Sequence, residues 1–171
     1  MSDASPPLAR PGPILPNAVA LASEEATRRL GESLAPRLGA GDWVSLTGPL
    51  GAGKSTLARA VIRARLGHGI GGAAVEVPSP TYTLVNVFDG DPEIWHADLY
   101  RMTDPAESEE LGLLDDLAGR IVLAEWAERL GGEVPARRLE IALDFCAGSG
   151  GGAGRTASLN PVGDWNLEGI A

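Results

Sequence analysis

A lysine follows closely spaced glycines in the segment GPLGAGKST, which covers residues 48–56 and contains Lys54, the single lysine of the chain. The segment fits the pattern G-x-x-x-x-G-K-[ST], in which backbone amides and a helix N-terminus bind phosphate oxygens. The lysine supplies positive charge to the outer phosphates, and the hydroxyl of Ser55 is a ligand for magnesium. The pattern predicts a phosphate-binding loop with contacts from Gly48, Leu50, Gly51, Ala52, Gly53, Lys54, Ser55 and Thr56.

Two carboxylates are candidates for a further protein ligand of that magnesium. A metal held only by Ser55 and phosphate would lack protein ligands, so an acid is expected at the end of a neighbouring strand. Glu125 follows the apolar run IVLA, and Asp98 lies in the segment HADLYR. Asp98 can equally position the attacking water or have a structural role. Which of the two acids contacts the metal directly stays open.

Three further positions near these acids have two interpretations each. His96 precedes Asp98 by two residues, and with no second metal-ligating candidate nearby we interpret it as a hydrogen-bonded core residue rather than a catalyst. Ser79 to Thr81 follow a glycine-rich segment, and a hydroxyl there can sense the γ-phosphate, although an ordinary turn is an equally good interpretation. Trp126 is a minor candidate for packing against the nucleotide, and core packing is the commoner use of such a residue.

The lysine count also bears on the identity of the base. Because Lys54 is used in the phosphate loop, no Asn-Lys-x-Asp element for reading guanine exists in the chain. Adenine is therefore favoured over guanine, and ATP over GTP.

Composition limits the classes of partner. The chain has 171 residues and a net charge of −9, whereas binding of nucleic-acid phosphates draws on clustered Lys and Arg, so contact with a polynucleotide requires a partner. No apolar run approaches the roughly 20 residues that cross a bilayer. Cys146 is the single cysteine and cannot form an internal disulfide, which fits a reducing compartment. We expect a cytoplasmic protein with no membrane contact.

The elements that position the loop alternate between strand-like and helix-like patterns, which predicts an α/β fold. DWVSLTG is typical of a strand that runs into the glycine loop, and STLARAVIRARLG of a helix that buries Leu57, Ala60, Val61 and Ala64 and ends at Gly67. An earlier helix begins after Ser23 and is expected to end or kink at Pro36.

The remaining segments predict more strands of the same sheet. SPTYTLVNVF and EIWHADLY are strand candidates joined by a turn, and RRLEIALDFC and RTASLN are late strands. Between them, Asp104, Pro105 and Glu107 fit the cap, first and third positions of a short acidic helix. We predict a disordered proline-rich leader over residues 1–17 and a single domain over residues 18–171.

The motifs GPLGAGKST, SPTYTLVNVF, HADLYRMTDPAESEELGLLDDL and VLAEWAERL, in this order, resemble the bacterial TsaE family, also called YjeE. The resemblance covers roughly residues 20 to 160. It implies a P-loop NTPase-like three-layer α/β/α domain with a mixed central sheet. It also implies a magnesium-dependent ATPase, weak alone and active with the TsaB–TsaD pair, that supports formation of threonylcarbamoyladenosine at tRNA position 37. TsaD, and not this chain, would act on the tRNA.

The resemblance also implies roles for individual residues. Ser55 and Glu125 would bind magnesium, Asp98 would be needed for hydrolysis, and Ser79 to Thr81 would form a switch segment. Glu24 and Arg155 resemble positions that flank the base and sugar. Departures from the family pattern include Pro49 in place of an Asp and a longer glycine tract before Arg155.

Two other functions fit the same loop. A small-molecule or nucleoside kinase uses it for phosphoryl transfer and needs an acceptor pocket and an arginine-bearing lid. A nucleotide-gated binding module would change its affinity for partners without turnover.

Overall fold

The computed structural model describes residues 17–67, 75–104, 106–146 and 154–170. It contains seven strands and three α-helices within these ranges. The strands are β1 (Ala18–Leu21), β2 (Trp43–Thr47), β3 (Val85–Phe88), β4 (Glu93–Asp98), β5 (Arg120–Glu125), β6 (Arg138–Cys146) and β7 (Gly154–Val162). The helices are α1 (Glu24–Leu34), α2 (Lys54–Leu66) and α3 (Glu107–Glu110). The predicted leader lies outside the described ranges except for Asn17, and the division into a leader and one domain stays a prediction.

All seven strands form one sheet in the order β1-β7-β6-β2-β5-β4-β3. The four central strands, β6, β2, β5 and β4, run parallel to one another. β3 pairs antiparallel with β4, and β7 and β1 extend the other edge with antiparallel pairings. The carboxyl ends of the parallel strands therefore meet at one edge, where open α/β sheets bind their ligands. The mixed α/β fold predicted from the sequence is confirmed.

Two apolar clusters cover the two faces of the sheet. On one face α1 and α2 pack through Leu30, Leu57 and Val61 against sheet residues such as Leu46 and Leu123. The other face is covered by short segments, and its cluster includes Trp43, Val122, Met102, Leu113 and Leu130. The second helical layer is thus thin, because α3 has only four residues.

The first two helices begin and end close to where the sequence predicts. The Ser23 side chain accepts a hydrogen bond from the amide of Ala26 at 3.2 Å, and α1 ends at Leu34 before a short 3-10 turn that contains Pro36. α2 ends at Leu66 and is capped by Gly67, as expected. The predicted burial of Ala64 is wrong, because Ala64 is exposed. It lies one turn beyond Ala60, where Gly31 of α1 makes its close approach.

The segment SPTYTLVNVF is shorter as a strand than predicted. β3 starts only at Val85, because the chain before it forms a turn in which the Leu84 amide donates to the Pro80 carbonyl at 2.8 Å. Leu84 has a φ of 62°, outside the extended range of a strand. The antiparallel pairing of β3 with β4 confirms the predicted hairpin.

The acidic helix is also shorter than its pattern indicates. α3 begins at Glu107 with Ala106 as its N-cap, so Asp104 does not occupy the predicted cap position and Glu107 is the first helical residue rather than the third. The position predicted for Pro105 lies outside the described residues. The carboxylates still pair with free amides near the helix start. Asp104 accepts from the Ala106 amide at 2.9 Å, and Glu107 accepts from the Asp104 amide at 3.0 Å.

No helix in the described ranges is long and apolar enough to span a bilayer.

Gly31 allows α1 to approach α2 closely, and its replacement tests the packing between these two helices. A Cβ atom on Gly31 would lie 2.6 Å from Ala60 Cβ and 2.9 Å from the Leu57 carbonyl oxygen. We expect Gly31→Val to lower the free energy of unfolding by about 1–3 kcal/mol, the usual cost of overpacking. Urea denaturation measures this, with Gly39→Val as control because a Cβ there contacts nothing within 4 Å. Equal stability of the two variants would contradict the prediction.

Candidate nucleotide-binding site

The glycine loop joins the end of β2 to the start of α2 in a conformation that requires glycine. Gly48 has a φ of 126°, and a Cβ there would lie 2.0 Å from the Leu143 carbonyl oxygen of β6. Gly53 has a φ of 106° and immediately precedes α2. The first amides of an α-helix have no partner within the helix and carry partial positive charge. The loop therefore brings a helix N-terminus suited to phosphate to the carboxyl edge of the sheet.

The Lys54 side chain is held against this loop by backbone carbonyls of the loop. Its Nζ donates to the carbonyls of Gly48 at 2.7 Å and Pro49 at 2.9 Å, and it lies 3.8 Å from the ring centroid of Trp126. Pro49 thus contributes its carbonyl, and its missing amide is of no consequence to this contact. Burial lowers the pKa of the Lys54 ammonium, while nearby carboxylates, Glu125 most strongly, act in the opposite direction. The side chain is only 4% exposed, so its charge acts in a poorly solvated cleft.

The two candidate acids lie side by side at the ends of parallel strands. Asp98 of β4 and Glu125 of β5 are paired in register, and they are 7% and 2% exposed. Glu125 Oε2 accepts a hydrogen bond from Ser55 Oγ at 2.8 Å. Asp98 Oδ1 accepts from the amide of Tyr100 at 3.1 Å. The hydroxyl and carboxylate oxygens form the type of donor set that Mg²⁺ prefers.

No group of three or more His, Cys, Asp and Glu side chains arranged to hold a metal occurs among the residues that the structure describes. Magnesium, however, usually takes only one or two carboxylates from the protein and completes its shell with water and substrate phosphates. Ser55, Glu125 and Asp98 therefore fit a nucleotide-bound magnesium better than a permanently resident metal.

His96 is fully buried on the same face of β4 as Asp98. Its Nε2 lies 2.8 Å from Glu125 Oε1. The interpretation of His96 as a hydrogen-bonded core residue is confirmed, and its partner is one of the two candidate metal ligands.

Trp126 turns the chain sharply at the end of β5. Its φ of 60° is uncommon for a residue other than glycine and costs about 1–3 kcal/mol. Its amide donates to the Leu46 carbonyl of β2 at 2.9 Å, and its ring packs on Tyr100 at a centroid distance of 4.9 Å. The turn places the indole over Lys54, so Trp126 forms one wall of the cleft.

α1 and β7 also contribute residues to the cleft. Glu24 and Thr27 of α1 and Arg155 of β7 line it, and Arg155 Nη2 donates to the Gly51 carbonyl at 3.3 Å. The Arg155 guanidinium lies 5.8 Å from the Phe145 ring centroid. The whole cleft has a volume of about 450 Å³, within the range of small-molecule sites.

The structure brings most of the predicted site residues together in this one cleft. Those that line it are Glu24, Leu50, Gly51, Gly53, Lys54, Ser55, Thr56, Thr81, Asp98, Glu125 and Arg155. Gly48 and Ala52 do not line it, and Ala52 is completely buried beneath the loop. The ligand contacts assigned to all of these residues stay predictions.

Three residues of the cleft are absent from the predicted set, namely Thr27, Arg59 and Tyr100. Helical spacing could have indicated two of them, because Thr27 is three residues after Glu24 on α1 and Arg59 is four residues after Ser55 on α2. Arg59 Nε donates to the Ser55 carbonyl at 3.0 Å, which holds its guanidinium at the cleft. No sequence pattern indicated Tyr100.

A strand that enters a glycine loop, a helix that begins with lysine, and acids at the ends of neighbouring parallel strands define a domain of the P-loop NTPase class. Residues 21–149 of the sequence match the model of a protein family described as "Threonylcarbamoyl adenosine biosynthesis protein TsaE". The chain belongs to the TsaE family.

Individual proteins agree with this assignment. The protein named tRNA threonylcarbamoyladenosine biosynthesis protein TsaE from Mycobacterium leprae is 39% identical over 130 residues, which are 70% of this chain and 77% of that one. The protein of the same name from Streptomyces coelicolor is 36% identical over 142 residues, 80% of this chain and 91% of that one. The crystal structure of YdiB from Bacillus subtilis shares the fold, with a TM-score of 0.65, 23% identity and coverage of 85% of each chain.

The position of Lys54 predicts a large contribution to phosphate binding. We expect Lys54→Ala to weaken ADP binding about 10- to 100-fold, since a hydrogen bond to a charged group contributes about 1.5–3 kcal/mol. Calorimetry measures the affinity, and a melting curve checks that the variant is folded. Arg63→Ala is the matched control, because it removes an exposed positive charge from the same helix outside the cleft. Unchanged affinity in folded Lys54→Ala would contradict the role of the loop.

Proposed function

We propose that this protein binds and hydrolyses ATP as the nucleotide-dependent component of tRNA threonylcarbamoyladenosine biosynthesis. Membership of the TsaE family gives the pathway. The main support for ATP hydrolysis is the contact of Ser55 on α2 with Glu125 on β5. This contact lies beside Asp98, within the cleft that contains Lys54. A helix N-terminus, a cation, a hydroxyl and two acids in one cleft are the parts that phosphoryl transfer to water requires.

Magnesium is the metal that suits these residues. Ser55 and Glu125 would hold it, with Asp98 beside them, and it would neutralise negative charge on the phosphates. Glu125 is the better candidate for the direct contact, because its Oε2 is already within hydrogen-bond distance of the Ser55 hydroxyl.

The residues of the chain supply the remaining functions. Lys54 exchanges the carbonyls of Gly48 and Pro49 for phosphate oxygens, a stronger charge-assisted contact. Asp98 holds the attacking water and accepts its proton, and its hydrogen bond from the Tyr100 amide fixes the carboxylate for this task. Thr81 lines the same cleft, and its hydroxyl belongs to a segment that senses the γ-phosphate.

The base and sugar lie against Glu24 and Arg155. Both residues line the cleft, and the Arg155 side chain lies close to Gly53, where a Cβ atom would be 3.8 Å from Arg155 Cδ. Adenine is the base, in keeping with the absence of an Asn-Lys-x-Asp element from the sequence.

The TsaB–TsaD pair is the proposed partner, and it raises a weak intrinsic rate. Exposed apolar residues beside the cleft support a protein contact there. Leu50, which lines the cleft, is 75% exposed, and Tyr82, next to Thr81, is 88% exposed. The net charge of −9 disfavours direct binding of tRNA, so the partner makes that contact.

Replacing Asp98 separates turnover from binding. We expect Asp98→Asn to lower phosphate release by at least about 100-fold, the usual contribution of a general base. ADP affinity stays within a few-fold, because asparagine keeps the oxygen that accepts from the Tyr100 amide. Phosphate release and calorimetry measure the two properties, with Asp89→Asn in the exposed β3–β4 turn as control. Full turnover in Asp98→Asn would remove this residue from the mechanism.

The partner requirement is tested by measuring phosphate release from MgATP with and without purified TsaB and TsaD. We expect a low rate for the chain alone, a higher rate with the pair, and no need for an added acceptor. A rate that depends on a small-molecule acceptor would favour the kinase alternative. Absence of stimulation by the pair would contradict the proposed partnership.

A further inference from the structure

A buried histidine contacts the carboxylate to which a metal-binding role is assigned. His96 has no exposed surface, and Glu125 is 2% exposed. The neighbours of His96 on the same face of β4 are Ile94, which belongs to the apolar core, and Asp98. An apolar side chain at this position would extend the core without the cost of burying an imidazole. The contact of 2.8 Å between Nε2 and Glu125 Oε1 is what offsets that cost.

The position of the hydrogen in this contact follows from the chemistry of the two groups. An ionised carboxylate only accepts hydrogen bonds, so Nε2 carries the hydrogen and donates it. Nδ1 is buried and has no hydrogen-bond partner among the described residues. Among the described residues, the hydrogen bond of the His96 ring is therefore directed at Glu125.

The two oxygens of Glu125 consequently have different surroundings. Oε1 accepts from His96 within the sheet layer, and Oε2 accepts from Ser55 on α2. Two contacts on opposite oxygens fix the rotation of the carboxylate about its last bond. Loss of the inner contact would free that rotation and leave a buried oxygen without a donor.

We propose that His96 is a positioning residue for Glu125, holding Oε1 so that Oε2 stays directed at Ser55 and at the divalent cation of the bound nucleotide. The proposal rests on the proposed function, in which Glu125 and Ser55 hold that cation. Partners that orient a metal ligand in this way typically change metal affinity about 10- to 100-fold when they are removed.

Substitution by the two amides provides a matched test. In His96→Gln the amide nitrogen reaches the position of Nε2 and can donate to Glu125, whereas in His96→Asn it reaches only the position of Nδ1. His96→Leu removes the donor altogether at a similar volume. Binding of Mn²⁺ to the ADP complex of the full chain is followed by electron paramagnetic resonance, and ADP affinity in EDTA is measured by calorimetry.

We expect His96→Asn and His96→Leu to weaken Mn²⁺ binding about 10- to 100-fold and His96→Gln to retain most of it. ADP affinity in EDTA is expected to be the same in all three variants and the unaltered chain, a result that a purely structural role would not give. Wild-type Mn²⁺ affinity in folded His96→Asn or His96→Leu would overturn the proposal. An equal loss of metal-free ADP binding, or loss of Mn²⁺ binding in folded His96→Gln, would do the same.

Glu125→Gln separates this proposal from the function on which it rests. Weakened Mn²⁺ binding in Glu125→Gln, together with wild-type binding in His96→Asn and His96→Leu, would overturn the role of His96 alone. Wild-type Mn²⁺ binding in Glu125→Gln would overturn the assignment of Glu125 as a metal ligand. Melting curves establish that each variant is folded. His96→Gln supplies a test even if His96→Asn and His96→Leu do not fold.

Discussion

The hydrogen bond between Ser55 and Glu125 joins the helix that follows the glycine loop to the neighbouring parallel strand. The glycine loop and the two acids at the carboxyl edge of the sheet lie around this contact. β2 carries the loop, and its pairing with β5 brings Leu46 opposite Glu125, just before the loop begins. The pairing of β5 with β4 then brings Asp98 opposite Glu125. Because all three strands run in the same direction, one edge receives a loop, a hydroxyl and two acids that are up to 77 residues apart in the sequence.

The electrostatics of this edge favour a cationic ligand beside an anionic one. Asp98 and Glu125 are buried at paired positions, and two like charges that close in a poorly solvated place repel each other. Lys54 supplies one compensating charge, and its pKa is lowered by burial, so desolvation acts against that charge. A divalent cation that arrives with a nucleotide would relieve the repulsion of the acids, while the phosphates would compensate the lysine. The two parts of magnesium–ATP thus meet complementary charges at adjacent points of the cleft.

The sequence predicted the parts of this site that depend on local rules, and it missed those that depend on tertiary contacts. The loop, α2 and the burial of the strand before Glu125 follow from glycine spacing, helical periodicity and an apolar run, so they were predicted correctly. Ala64 has the helical periodicity of a buried position but lies beyond the part of α2 that α1 covers. No local sequence pattern indicates where that coverage ends. β3 was predicted too long because Leu84 adopts a turn conformation that its residue type does not suggest. The partner of His96 lies 29 residues away on another strand, so the sequence indicated a hydrogen bond without its acceptor.

The backbone at Trp126 shows how the sheet and the cleft impose different requirements on adjacent residues. Glu125 must remain in register with β4 and β2 to meet Ser55, while the next side chain must cross the cleft to reach Lys54. Continued extended structure would direct residue 126 to the opposite face of the sheet from Glu125. The left-handed conformation instead lets the indole reach the ammonium, at a cost of about 1–3 kcal/mol. The hydrogen bond from the Trp126 amide to Leu46 and the packing on Tyr100 offset that cost, so the strain is held where the strand ends and the binding cleft begins.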